Sequence, residues 1–179
     1  PQLHVTWLCV TLLSVLYFIY CSEMWNQLDA LTGLLNQNSY LNRTAEMSER
    51  DKVLVVFDVD NFKQINDQYG HLKGDICLAE IADCIKKSYA RYGFCYRTGG
   101  DEFCVVLRRN LTQVDALNEA FLQQRERSTS GLPLPVVSVG YVLFDTEEEP
   151  ISKAVERADR AMYQVKHLHK TGKEASEAH

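Results

Sequence analysis

Val53-Leu54-Val55-Val56-Phe57-Asp58 is an unbroken, β-branched apolar run that ends on a carboxylate. A short run of this kind, bounded by polar residues, reads as a strand buried on both faces. The elements around it follow by pattern. Asn38–Glu49 is a predicted helix ahead of the run, and Asn61–Tyr69 and Asp75–Tyr89 are predicted helices behind it. The last of these carries Ile76, Leu78, Ile81, Ala82 and Ile85 on one face. Gly93–Arg97 and Phe103–Arg108 read as strands around Gly99–Gly100, a hairpin signal. Leu111–Glu126 is an amphipathic helix and Val136–Phe144 alternates as a strand. Ile151–His167 is a helix with Ala154, Val155, Ala158, Ala161, Met162 and Val165 on its buried side. Ser128–Pro135 and Asp145–Pro150 are loops. This order is not a regular βαβ alternation. It predicts an α/β (α+β) domain with a mixed, mostly antiparallel central sheet flanked by helices.

The first stretch is different in kind. Leu3 to Cys21 carries no formal charge apart from the titratable His4, and is dense in Leu, Val and aromatics. About 20 such residues span a bilayer as a helix. Apolar residues lie all round rather than on one stripe, and Tyr17, Phe18, Tyr20 and Trp25 gather at one end, as at a membrane interface. A cleaved signal peptide fits poorly, because no basic segment precedes the run and no small-residue cleavage site follows it. Residues 1–22 are therefore expected to form a transmembrane helix, with a long signalling helix in a dimeric coiled coil as the alternative. Residues 23–28 are a linker, 29–172 the α/β domain and 173–179 a disordered tail. The chain starts at Pro1 without Met, which predicts further protein upstream.

Composition excludes several classes. A net charge of −5 and a pI near 5.5 argue against a nucleic-acid surface. The 6 cysteines form no Cys-x-x-Cys pair, and those inside apolar runs behave as small hydrophobes in a reducing compartment. The 5 histidines lack metal-ligand spacing, which disfavours zinc.

Two acidic clusters carry the chemistry. Asp58 and Asp60 close the buried strand, where side-chain alternation puts both on one face unless the turn intervenes. Asp101-Glu102 follows Gly99-Gly100, which allow φ > 0 and a close approach by another molecule. Read singly, the first is a helix cap and the second a turn. Together, if the Asp58 strand neighbours the Gly-Gly hairpin, several carboxylates converge, and hard oxygen ligands of that sort favour Mg²⁺. Asn61-Phe62-Lys63 opens a helix whose amides and dipole favour an anionic triphosphate.

These residues stand in a pattern that resembles the GGDEF family of diguanylate cyclases. The signature is Arg97-Thr98-Gly99-Gly100-Asp101-Glu102-Phe103. Asp29-Ala30-Leu31-Thr32-Gly33-Leu34-Leu35-Asn36 resembles the family's opening motif, with Gln37 where Arg is usual. The Phe57–Asp67 and Tyr69–Asp75 blocks match almost without gaps. Ser138-Val139-Gly140 and Ala158–Lys166 match the later blocks, in order, across nearly the whole domain.

The resemblance implies a fold like the nucleotidyl-cyclase and polymerase palm. It also implies condensation of two GTP into cyclic di-GMP and two pyrophosphates at the interface of a homodimer, with two Mg²⁺ per GTP, or Mn²⁺ in its place. Asp58, the carbonyl of Val59 and Asp101 are the implied metal ligands. Asp101 and Glu102 are the implied catalytic carboxylates, without a choice between them as base. Asn61, Phe62, Lys63, Lys166 and Lys170 are implied for phosphate, Lys170 standing where many members carry Arg. Asn66 and Asp75 are implied for guanine, Asp75 accepting from N1–H and N2–H₂, where adenine would leave the carboxylate unpaired. A helix N-cap before Ile76 is the bland reading of Asp75. Many relatives carry an inhibitory product site, Arg-x-x-Asp. The same window here is Ala90-Arg91-Tyr92-Gly93, so no such site is expected. GTP is cytosolic, so the expected place is a bacterial inner membrane with the catalytic domain in the cytoplasm, driven by an upstream sensor. The competing reading is a catalytically silent GTP-binding module on the same fold.

Overall fold

The computed structural model describes residues 2–45, 52–108, 113–127, 134–145 and 147–177. Strands β1 (Lys52–Val59), β2 (Gly93–Arg97), β3 (Glu102–Leu107) and β4 (Val137–Phe144) form one sheet in the order β2-β3-β1-β4. Every ladder between these strands is antiparallel. Among the described residues, parallel pairing is a single bridge between Leu35 and Tyr96. β1 is central, which explains its unbroken apolar run: Val53, Leu54 and Val55 are fully buried.

Alternation along β1 serves two cores. Val53, Val55, Phe57 and Val59 pack against Leu78, Ile81, Ile85 and Tyr89 of helix α4 (His71–Tyr89) and Phe121 of helix α5 (Val114–Glu126). Phe57 meets Tyr89 and Phe121 edge-on. Leu54 and Val56 face the other side, with Tyr96, Cys104, Val106 and Phe144, under Ala154 and Ala158 of helix α6 (Ile151–Glu177). Helices therefore cover both faces. Burying each large side chain contributes about 1.5–3 kcal/mol.

Gly140 sets how closely α6 can lie. A Cβ there would meet the Ala158 carbonyl oxygen at 2.3 Å and the Met162 amide nitrogen at 2.5 Å. The glycine of Ser138-Val139-Gly140 is thus a packing requirement, and it seats α6 against β4.

Helix α1 (Gln2–Trp25) stands outside this core. His4–Trp25 is long and apolar enough to cross a membrane, with mean hydropathy 1.9 and none of it buried. Its end is tied to the domain locally. Leu28 bridges Leu35, Asn36 Nδ2 donates to the Asn26 carbonyl at 2.6 Å, and Ser39 Oγ donates to that of Gln27 at 2.8 Å.

Element bounds differ from the sequence reading in instructive places. Helix α2 spans Gln37–Ala45, and the last residues of the expected Asn38–Glu49 lie outside the described ones. Helix α3 (Phe62–Tyr69) matches closely, but α4 begins at His71, four residues before the expected Asp75. Gly70 caps α4 with φ 83, a backbone that glycine adopts freely. Asp75 therefore lies within the helix, and its reading as an N-cap is corrected. Helix α6 runs to Glu177, through most of the stretch expected as a disordered tail from 173. That stretch is rich in Lys, Glu and Ala, which are good helix formers.

Candidate active site

The two acidic clusters meet across one strand pair. Asp58 on β1 is the register partner of Glu102 on β3, and Val59 N–H donates to the Asp101 carbonyl at 3.2 Å. The hairpin that delivers Asp101 and Glu102 closes through Thr98 and Gly99, whose amides both donate to the Glu102 carbonyl. Arg97 braces the turn from outside, donating to the Gly100 carbonyl at 2.7 Å and to Asp29 at 3.0 Å.

The two glycines act differently from expectation. Neither Gly99 nor Gly100 has positive φ; among the described non-glycine residues Asn61 does, at 57. A Cβ at Gly99 would sit 2.7 Å from Glu102 Oε2, so a larger residue there would push the Glu102 side chain aside. At Gly100 a Cβ would meet nothing within 4 Å. The turn stays open on that side.

Lys166 of α6 enters the same cluster. Its ammonium donates a short hydrogen bond to Asp58 Oδ1 and lies 3.4 Å from Asp60 Oδ1. Asp58 and Asp60 therefore do share a face. Asp60 is further held by Ser138 Oγ, 2.9 Å from each of its oxygens. Burial works against the Lys166 ammonium, but the hydrogen bond and charge of Asp58, then those of Asp60, hold its pKa above the ordinary lysine value. Glu102 is open to solvent at the sheet rim. Even so, partial burial and the charges of Asp101, Asp58 and Asp159 raise its pKa, with Lys166 opposing. Asp159 is raised by burial and by Asp58.

Asp159 belongs to this cluster but was not singled out in the sequence. It stands two helical turns before Lys166 on α6, so the seven-residue spacing within Ala158–Lys166 was the available signal. Repelling carboxylates with one resident ammonium make a site suited to a divalent cation. Mg²⁺ commonly takes one or two carboxylates plus substrate oxygens, and Asp58, Asp101 and the Val59 carbonyl are donors of that type. Among the described residues no three His, Cys, Asp or Glu side chains form a ready-made cage.

A second group lies on the α3–α4 side. Asn61 stands at the N-terminus of α3 and makes no side-chain cap, with Phe62 half-buried and Lys63 exposed in the first turn. Asn66 Oδ1 is buried with no hydrogen-bond partner among the described residues. It presses on Gly74, where a Cβ would lie 1.9 Å away. Asp75, the next residue, is exposed. An orphaned acceptor beside an open carboxylate is the complement of a donor edge such as guanine's N1–H and N2–H₂. The Lys170 backbone is within α6, and its side chain lies outside the described residues.

The fold and this paired acidic site define a GGDEF-type domain. The family described as diguanylate cyclase, GGDEF domain, matches residues 26–172, and the chain belongs to it. Diguanylate cyclase DgcS of Shewanella oneidensis is 33% identical over 150 residues, covering 80% of this chain and 51% of that protein. Diguanylate cyclase DgcM of Escherichia coli K12 is 36% identical over 146 residues, covering 77% of this chain and 35% of that protein. The chain thus spans about half the length, or less, of these curated relatives. Among solved structures, diguanylate cyclase SiaD of Pseudomonas aeruginosa, in complex with its activator SiaC, has TM-score 0.71 at 27% identity. That match covers 93% of this chain and 72% of SiaD.

Proposed function

We propose that the chain is an active diguanylate cyclase that joins two GTP molecules into cyclic di-GMP at the interface of a homodimer. The observation that carries this is the meeting of Asp58 with Asp101-Glu102 across the β1–β3 pair. The 3′-oxygen of one GTP attacks the α-phosphorus of the other, forming the new O–P bond as the bond to pyrophosphate breaks. Repeating the step in the opposite sense closes the ring. Mg²⁺ on Asp58, the Val59 carbonyl and Asp101 would stabilise the attacking and leaving oxygens. Asp101 and Glu102 are assigned to the 3′-hydroxyl proton, without a choice between them as base. Lys63, Lys166 and Lys170, with the Asn61 and Phe62 turn, are assigned to the phosphates. Asn66 and Asp75 are assigned to guanine; the unmet Asn66 acceptor beside the exposed Asp75 carboxylate supports GTP over ATP.

Each protomer offers half a site, so pairing is required. Helix α1 supports a membrane anchor that keeps two domains close and raises their effective concentration. Because GTP is the substrate, the domain is assigned to the cytoplasmic side of a bacterial inner membrane, under a sensor upstream. Asp58, Asn66, Asp75, Asp101 and Glu102 are all retained, which favours catalysis over a silent GTP-binding role. Incubation of the protein with GTP and Mg²⁺, followed by chromatography for cyclic di-GMP, decides it. GTP binding without product would leave only the silent module.

A further inference from the structure

We infer that Lys166 is the resident counter-cation of the Asp58–Asp60 carboxylate pair, so that a divalent cation enters only when a triphosphate draws the ammonium away. This rests on the reading of Asp58 as a metal ligand and Lys166 as a phosphate contact, and adds an order of events to it. Lys166 and Asp58 are largely enclosed, with side chains 25% and 20% exposed, and Asp60 is 10% exposed. Ser138 Oγ holds Asp60 in place, at 2.9 Å from both oxygens. Gly140 fixes the seat of α6 that brings Lys166 within reach.

A cation and the ammonium compete for the same Asp58 oxygen. Opening a partly enclosed ion pair leaves two charges short of solvent, and that cost opposes a cation arriving alone. A triphosphate offers the ammonium another anion. Cation and nucleotide then assist each other, and linkage makes the assistance reciprocal. The device would keep the carboxylates from holding a metal while no substrate is present.

The test is titration of Mn²⁺ into the full chain in detergent micelles without nucleotide, with free Mn²⁺ read by electron paramagnetic resonance. Lys166→Met should bind Mn²⁺ roughly 5- to 150-fold more tightly than the wild type, the usual range of coupling between sites. Lys166→Gln, closer in polarity, should show the same gain, and Lys166→Arg should stay as weak as the wild type. Adding Asp58→Asn to Lys166→Met should remove the gain. Equal affinities in wild type and both neutral variants would overturn the inference. So would a gain that survives Asp58→Asn, or an Arg variant as tight as Met. Failure of the cyclase reading shows separately, as absence of cyclic di-GMP from GTP while the Mn²⁺ results hold.

Discussion

The Asp29 carboxylate lies 3.0 Å from Arg97 Nη1, and the same guanidinium reaches the Gly100 carbonyl at 2.7 Å. Asp29 sits just after α1, next to the Leu28–Leu35 bridge. The segment leaving the N-terminal helix is thereby tied by one arginine to the turn that carries Asp101.

Asp29→Asn should destabilise the domain by about 1.5–3 kcal/mol, the range for a hydrogen bond to a charged group. It should also lower cyclic di-GMP output by loosening the Gly100 turn. Burial alone would raise the Asp29 pKa, but hydrogen bonds from Thr32 and Arg97 and the Arg97 charge hold it below the ordinary carboxylate value. A depressed folded pKa gives stability above the unfolded value that is lost as pH falls through the folded one. The gap between wild type and variant in denaturant melts should therefore be full at pH 7 and shrink in acid.

Asp101→Ala should cut turnover by at least about 100-fold, since losing a direct ligand should exceed the 10–100-fold cost of losing an outer-shell partner. The Asp101 side chain is not part of the core, so circular dichroism and Tm should stay near those of the wild type. Near-normal product from this variant would remove the metal assignment.

Asp75→Ser should relax the choice of GTP over ATP in a competition assay by roughly 10-fold or more, because the acceptor for N1–H and N2–H₂ is lost. Its exposed place within α4 makes the change cheap for folding. Unchanged discrimination would show that Asn66 alone, or another group, reads the base.

Initial rates at saturating GTP should be insensitive to added cyclic di-GMP, apart from competition at the active site. Ala90 and Gly93 supply neither the guanidinium nor the carboxylate of the Arg-x-x-Asp pattern. Nor can the carboxylate simply be restored. A Cβ at Gly93 would lie 2.2 Å from the Val106 carbonyl oxygen. Gly93→Asp should cost about 1–3 kcal/mol or more in stability, as overpacking does, and Ala90→Arg/Gly93→Asp should not create tight non-competitive inhibition. Calorimetry showing a product dimer bound near Arg91 would contradict this.

Much of this protein is written locally. β1, the helices, the hairpin at Gly99–Gly100 and the N-terminal apolar helix follow from periodicity and turn residues, because neighbours in the chain decide those patterns. The acidic clusters were legible for the same reason, each lying within a few residues. Only the tertiary structure decided which residues need to be glycine and why. Gly74 makes room for Asn66, Gly93 for β3 and Gly140 for α6, and these are close approaches between segments that no local pattern reports. It also decided that α4 starts at His71 rather than Asp75, where the positive φ of Gly70 lets one helix follow another directly. The pairing of Lys166 with Asp58 joins residues 108 apart and depends on the seat of α6 against β4. Side-chain charge is written in the sequence, but which opposite charge it meets is set by how the layers pack.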